Sequence, residues 1–316
     1  MAVEQKRLMQ GSDRRTWLIG AGIGILAVAA LVVSVLALTQ YRGGPTDAAA
    51  SPMPSMTFPA PVLTEEPAET SPPEPVTAVA PTRLLAAQDG AVVYRATVGA
   101  CPEPRTSFEF SNDGGSTWQA GDVTGSTDST AALTLSIGGP QFVQMVTLSA
   151  QGCAPQYIRS FVSGIDWEVF NSDLPAAWYL NPGTPGTVHS PQGELPTPCE
   201  AVAVSGAGPR AAVLCDDATL VTTTDAATTW GAPIAVPGAA AITLSPIGYR
   251  IAVLNSEACL GIQVLEVADG VLSPPGACLS VTAAPGEVAI TTASDGSVYV
   301  WAGDTLARST EGGAQW

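Results

Sequence analysis

The chain has little of what catalytic and nucleic-acid-binding machinery is usually made from. Its 316 residues include a single histidine, His189, and a single lysine, Lys6; charged residues make up 13% and aromatics 6%. No H-E-x-x-H, C-x-x-C, G-x-S-x-G, phosphate-loop or EF-hand pattern occurs, so the common zinc, thiol-redox, serine-hydrolase, nucleotide and calcium-loop chemistries lack their signatures. His189 stands in T-V-H-S-P within a Pro/Gly-rich stretch, with no acid or nucleophile motif beside it. That context reads as an exposed loop residue rather than a general base. No metal and no cofactor is expected. Basic residues are also scarce, 12 against 28 acids for a net charge of -16. Such a surface repels phosphate backbones, so nucleic acid is not an expected partner.

What is abundant points to strands, turns and a membrane. The sequence holds 32 Gly and 27 Pro among many Ala, Val and Thr, a mixture that favours β-structure and suggests a high-GC bacterial genome. From Trp17 to Leu38 no charged residue occurs, and about 20 apolar residues suffice to cross a bilayer core. Lys6, Arg7, Arg14 and Arg15 precede this run and only Arg42 follows closely, which places the N-terminus in the cytoplasm. The run exceeds the h-region of a cleaved signal peptide, so an uncleaved anchor is the better reading. We therefore expect a cytoplasmic tail over 1–16, a single transmembrane helix over 17–39 and an extracytoplasmic remainder at the cell membrane. Residues 40–82 read as a Pro/Ser/Thr-rich linker too poor in apolar surface to order itself. Extended at about 3.1 Å per residue, it could hold a domain on the order of 100 Å from the bilayer.

Residues 83–316 carry an internal repeat. Ser111 to Trp118 reads S-N-D-G-G-S-T-W, Thr223 to Trp230 reads T-T-D-A-A-T-T-W, and Ser309 to Trp316 reads S-T-E-G-G-A-Q-W. A fourth copy, S-F-V-S-G-I-D-W from Ser160 to Trp167, has Val162 at the acidic position. Each copy has the chemistry of a strand–turn–strand: Asp113 or Asp225 to accept backbone N–H groups, Gly115 or its alanine counterpart where the chain reverses, and Trp to close the core. The pattern resembles the Asp-box, or BNR, repeat of sialidase-like β-propellers. The resemblance implies an all-β propeller of four-stranded blades, with Ser111, Asp113, Gly115, Trp118, Thr223, Asp225, Trp230, Ser309, Glu311 and Trp316 holding turns rather than performing catalysis. The spacing gives five blades: Arg83–Gly125, Thr130–Leu174, Cys199–Val236, Ala239–Leu279 and Ser280–Trp316. An irregular excursion from Pro175 to Pro198 has room for part of a sixth. The last blade stops before a fourth strand, so a strand over Val76 to Ala80 is expected to complete it, because an open sheet edge invites association.

The six cysteines all follow the membrane run, as suits an oxidising compartment. Cys199 and Cys215 lie symmetrically about Ala207, and Cys259 and Cys278 about the Ala268–Gly270 turn, so each pair can face across antiparallel strands. Cys101 is then left to pair with Cys153.

Function is less sharply bounded. The resemblance to sialidases implies an arginine triad beside a Tyr and an acid, and seven arginines are available: Arg83, Arg95, Arg105, Arg159, Arg210, Arg250 and Arg308. Tyr249-Arg250-Ile251 matches part of the family's arginine element but lacks its proline and follows the third repeat copy rather than preceding the first, which favours coincidence. The leading expectation is a non-enzymatic binding or scaffolding module for a protein or envelope glycan. A sialidase-type glycoside hydrolase and an assembly factor for a membrane complex are the alternatives. The membrane reading makes a direct prediction: the intact chain sediments with membranes, and deleting residues 17–38 moves it to the soluble fraction on ultracentrifugation.

Overall fold

The computed structural model describes residues 77–316; the expected cytoplasmic tail, transmembrane helix and most of the linker lie outside this range. The described chain is an all-β, five-bladed propeller. Blade 1 consists of β1 (Arg83–Ala87), β2 (Val93–Thr97), β3 (Ser107–Ser111) and β4 (Gln119–Gly121), followed by a one-turn helix, α1 (Val123–Thr127). Blade 2 comprises β5 (Ser129–Gly139), β6 (Phe142–Ser149), β7 (Pro155–Ser160) and β8 (Glu168–Val169). A two-stranded ribbon, β9 (Thr187–Ser190) and β10 (Gly193–Pro196), then intervenes. Blade 3 holds β11 (Ala201–Ala207), β12 (Arg210–Cys215), β13 (Thr219–Thr223) and β14 (Ile234–Ala235). Blade 4 holds β15 (Ala239–Leu244), β16 (Tyr249–Ser256), β17 (Cys259–Ala268) and β18 (Val271–Leu272). Blade 5 has three strands, β19 (Val288–Thr292), β20 (Val298–Ala302) and β21 (Thr305–Ser309). Every neighbouring pair within a blade is antiparallel.

The first strand of each blade explains an odd feature of the sequence. In four of the five blades these strands read RLLAA, AVAVSGA, AAAITL and VAITT, largely apolar at both parities instead of alternating, while β5 reads STAALTLSIGG. On β1, Ala86 packs into the core shared with blade 2, while Leu85 and Ala87 pack into the core shared with blade 5. An innermost strand is therefore covered on both faces and crowded near the axis, which selects alanine and valine.

Six apolar clusters close the ring. Blades 1 and 2 meet around Tyr94, Phe108, Met145 and Trp167, and blades 3 and 4 around Leu214, Leu220, Tyr249 and Ile251. Ile262, Ile290 and Val300 join blades 4 and 5, and Val93, Tyr299 and Trp301 join blades 5 and 1. Between blades 2 and 3 the excursion fills the gap. Tyr179 packs against Val146 and Tyr157 of blade 2, and Trp178 packs against Ala211 of blade 3. A single-residue antiparallel bridge joins Tyr179 to His189 beside the ribbon. The excursion thus occupies a blade's place without being one.

Two expectations change. Residues 77–80 form no strand and do not pair with β21; instead the Ala78 N–H donates to the Asp216 carbonyl of blade 3 at 3.2 Å and that of Thr82 to Gly286 at 2.8 Å. Ala78 is buried in the blade 3–4 cluster, so the last residues of the stretch read as linker pack on the domain. Blade 5 joins blade 1 by face packing and by loop bonds, including Tyr299 Oη to the Asp89 carbonyl at 3.1 Å and the Ser294 N–H to Gln88 at 3.0 Å. His189 lies in β9 rather than in a loop. Its ring stacks on Tyr179 with centroids 4.4 Å apart, and Nδ1–H donates to the Ala177 carbonyl at 2.8 Å.

Each tryptophan that ends a repeat copy reaches the unit before its own. Trp118 packs with Leu306 of blade 5, and Trp167 meets Phe108 of blade 1 edge-on with centroids 5.0 Å apart. Trp230 Nε1–H donates to the Pro196 carbonyl of the ribbon at 3.3 Å, and that of Trp316 to Ala277, on the segment leaving blade 4, at 3.0 Å. Trp167 is only 2% exposed. Trp167→Ala should cost about 3 to 5 kcal/mol, read as a lowered urea midpoint, and Trp167→Phe markedly less.

Candidate functional site

The two ends of the propeller have different chemistry. At the end where each third strand finishes lie the four Trp-ended turns. Ser111 Oγ accepts the N–H groups of Asp113 at 3.3 Å and Gly115 at 2.8 Å, and donates to Asp113 Oδ1 at 2.7 Å. Asp113 Oδ1 accepts the Thr117 N–H at 2.8 Å, and Oδ2 accepts the Thr117 hydroxyl at 2.6 Å. Thr223, Asp225 and Thr229 repeat this arrangement with nearly the same distances. Ser309 accepts from Glu311 and Gly313, and Ser160 from Val162 and Gly164, without the carboxylate bonds. The hydroxyl at the first position, that of Ser111, Thr223 and Ser309 and of Ser160 in the fourth copy, is therefore the element common to all four turns.

The fourth and fifth residues of each turn are left-handed: Gly114 and Gly115, Ser163 and Gly164, Ala226 and Ala227, Gly312 and Gly313. At Gly115 the left-handed backbone favours glycine, and a Cβ would lie 2.3 Å from Leu306 Cδ2 of the preceding blade, a side-chain end that would have to shift. Ala227 is tolerated at the equivalent position because the preceding unit there is the ribbon, and its methyl packs into the cluster with Trp178.

All three disulfides lie at the opposite end. Cys101 joins Cys153 across the β2–β3 and β6–β7 loops, tying blade 1 to blade 2, while Cys199–Cys215 and Cys259–Cys278 each lie within or beside one blade.

Between the two ends runs a central cavity of about 840 Å³, walled by β1, β5, β11, β15 and β19 and by residues 176–187 of the excursion. A volume of this size suits a small ligand or a single chain segment. Its wall mixes hydroxyls and amides, among them Ser136, Gln144, Asn181, Ser205, Thr243 and Thr291, with aliphatic groups such as Leu84, Leu135, Val202 and Ile242. Among the described residues, Arg83 and Glu200 are the charged ones lining it, and both stand where the inner strands begin. Ala80 and Pro81 cross that same mouth.

The arginines do not converge on this cavity. Arg83 reaches it, with its guanidinium bonded to the Gly303 carbonyl and 4.6 Å from the Trp301 ring centre. Arg95 pairs with Glu109 and stacks on Trp118, Arg105 pairs with Glu103, and Arg159 with Asp173. Arg250 pairs with Glu266, Arg308 with Asp295, and Arg210 lies beside the Tyr249 phenol. Tyr249 itself is 4% exposed in the core between blades 3 and 4, and burial pushes its phenol above the ordinary value. The Tyr249-Arg250 element thus braces blades; no arginine triad is assembled among the described residues.

No protein-family description matches the sequence, and no characterised protein matches it. Among solved structures, similar backbones include YCF48 bound to a D1 peptide, at 17% identity and TM-score 0.28 over 76% of this chain and 67% of that one. PorZ, a surface component of the Porphyromonas gingivalis type-IX secretion system, matches at 10% identity and TM-score 0.35, over 74% of this chain and 34% of its own. The Hadza microbial sialidase Hz136 matches at 12% identity and TM-score 0.34, over 69% and 49% respectively. At such identities no ligand or partner transfers to this chain.

The turns generate a pH prediction. Hydrogen bonds from the Thr117 hydroxyl, the Thr117 N–H and Ser111 hold the Asp113 carboxyl down to about 2, and Thr229 and Thr223 lower Asp225 in the same way. A carboxyl depressed on folding stabilises the fold above its unfolded pKa, and that contribution is lost as pH falls through the folded value. The melting temperature should fall between about pH 5 and pH 2, and the Asp113→Asn/Asp225→Asn variant should show a shallower fall from a lower neutral-pH starting point.

Proposed function

We propose that this chain is a membrane-anchored, extracytoplasmic propeller that binds an uncharged ligand, a neutral envelope-glycan segment or a polar protein loop, without catalysing its turnover. The Trp-ended turns are read as Asp boxes that hold blade geometry and leave the cavity free to vary. The observation that carries the proposal is the cavity wall: hydroxyls, amides and aliphatic groups, with charge confined to one mouth. Such a wall offers hydrogen bonds and apolar contact but no positioned acid–base pair, and its single arginine is bonded to the Gly303 carbonyl. A sialidase-type reaction needs a fixed cationic cradle for a carboxylate sugar, and the arginines that could supply it are engaged elsewhere.

The full chain in detergent micelles, probed on an array of neutral and acidic glycans and of uncharged peptides, should retain neutral members. Ser205→Tyr and Thr243→Gln, which narrow the cavity, should each weaken that binding by roughly tenfold while the melt stays cooperative. Turnover of a fluorogenic sialoside by the wild-type chain, lost in Arg83→Ala, would overturn the proposal in favour of the hydrolase.

A further inference from the structure

The repeat copy in blade 2 departs from the others in a way the fold does not require. At its second, third and sixth positions blade 1 has Asn112, Asp113 and Ser116, and blade 3 has Thr224, Asp225 and Thr228. Blade 2 has Phe161, Val162 and Ile165 there, and these are 54%, 46% and 64% exposed. The turn still closes, because Ser160 Oγ accepts the N–H groups of Val162 and Gly164. Three apolar side chains therefore stand in solvent where polar ones are compatible with the same backbone.

The patch is also organised. Phe161 stacks on Phe142 with centroids 5.1 Å apart and meets Phe170 edge-on at 5.7 Å. Large exposed apolar patches on soluble domains mark interaction sites. Its charge selects the partner. Asp166 and Glu168 lie within the turn and on β8, both exposed, and neither forms an ion pair among the described residues. Arg159, opposite Glu168 in the β7–β8 register, is paired with Asp173 and lies between the Phe142, Tyr157 and Phe170 rings. A second copy of the chain would bring the same carboxylates and a net charge of -16 against its own kind, and an anionic lipid surface would be repelled likewise.

We propose that this face of blade 2 docks a cationic polypeptide segment whose aliphatic or aromatic side chain seats on Phe161 and Ile165 while flanking Lys or Arg residues meet Asp166 and Glu168. This goes beyond the cavity reading and stands on separate residues.

The test uses the full chain in neutral-lipid nanodiscs, with fluorescence anisotropy of short labelled peptides of alternating Lys and Leu, and Glu–Leu and Lys–Ser peptides for comparison; empty nanodiscs supply the baseline. The Lys–Leu peptide should bind at least roughly tenfold tighter than either comparison peptide, and more weakly as salt rises. The variant Phe161→Asn/Val162→Asp/Ile165→Ser gives the turn the residues of its blade 1 counterpart. It should melt no lower than wild type and lose roughly tenfold in affinity, with cavity binding unchanged. Equal binding by wild type and variant, or no preference for Lys–Leu, would sink the proposal. So would dimerisation of the wild-type chain that the variant abolishes, since that would assign the patch to a second copy. If the triple variant melts lower, Ile165→Ser alone, at the most exposed position, carries the same comparison.

Discussion

A four-stranded sheet this small has two faces to bury and no helix to cover either one, so each blade depends on the next around a ring. The tryptophan at the end of each repeat copy makes that dependence specific. It leaves its own third strand through a left-handed turn and lands on the preceding unit: Leu306 for Trp118, Phe108 for Trp167, the Pro196 carbonyl for Trp230 and the Ala277 carbonyl for Trp316. One indole thus supplies both apolar area and, in two of these cases, a hydrogen bond across the interface. Between blades 3 and 4, where no repeat copy occurs, Tyr249 and the aliphatic residues around it take the part. The same constraint bears on the glycines at the fifth turn position, since the neighbour arrives too close for a Cβ at Gly164, against the Phe108 ring, and at Gly313, against Val264 Cβ.

Closure between the first and last blades follows from this logic rather than from a shared strand. Blade 5 keeps three strands, and its face packs Val93, Tyr299 and Trp301 into one cluster with blade 1. The segment before β1 crosses toward blade 3 and seats Ala78 there, which also narrows one mouth of the cavity. The Cys101–Cys153 bridge adds a covalent link between adjacent blades at that same end. The ring is accordingly fastened by disulfides at one end and by hydrogen-bonded turns at the other.

This division of labour leaves two surfaces without a structural task. Among the described residues the cavity wall carries no charge beyond its mouth, which fits recognition by hydrogen bonds and apolar contact better than charge-driven chemistry. The blade 2 turn exposes Phe161 and Ile165 beside unpaired carboxylates although polar residues serve the equivalent turns. The first surface faces the axis and the second faces outward, so one ligand need not exclude another.

Much of the architecture could be read from residue order alone. The Trp-ended octapeptides, their spacing and the cysteines about hairpin centres are local or nearly local features, and local geometry propagates from them: turns close with residues at most five apart, and two of the bridges span a single hairpin or its neighbour. What only the tertiary structure decided depends on residues far apart in the chain. The excursion's part as a wedge rests on Trp178 and Tyr179 meeting two different blades, and the route of residues 77–82 rests on partners such as Asp216 and Gly286. The dispersal of seven arginines rests on which face of which strand each occupies. A linear pattern specifies the period of a strand and the hand of a turn; it does not specify which distant surface completes it, because that choice is made by the packing of the closed ring.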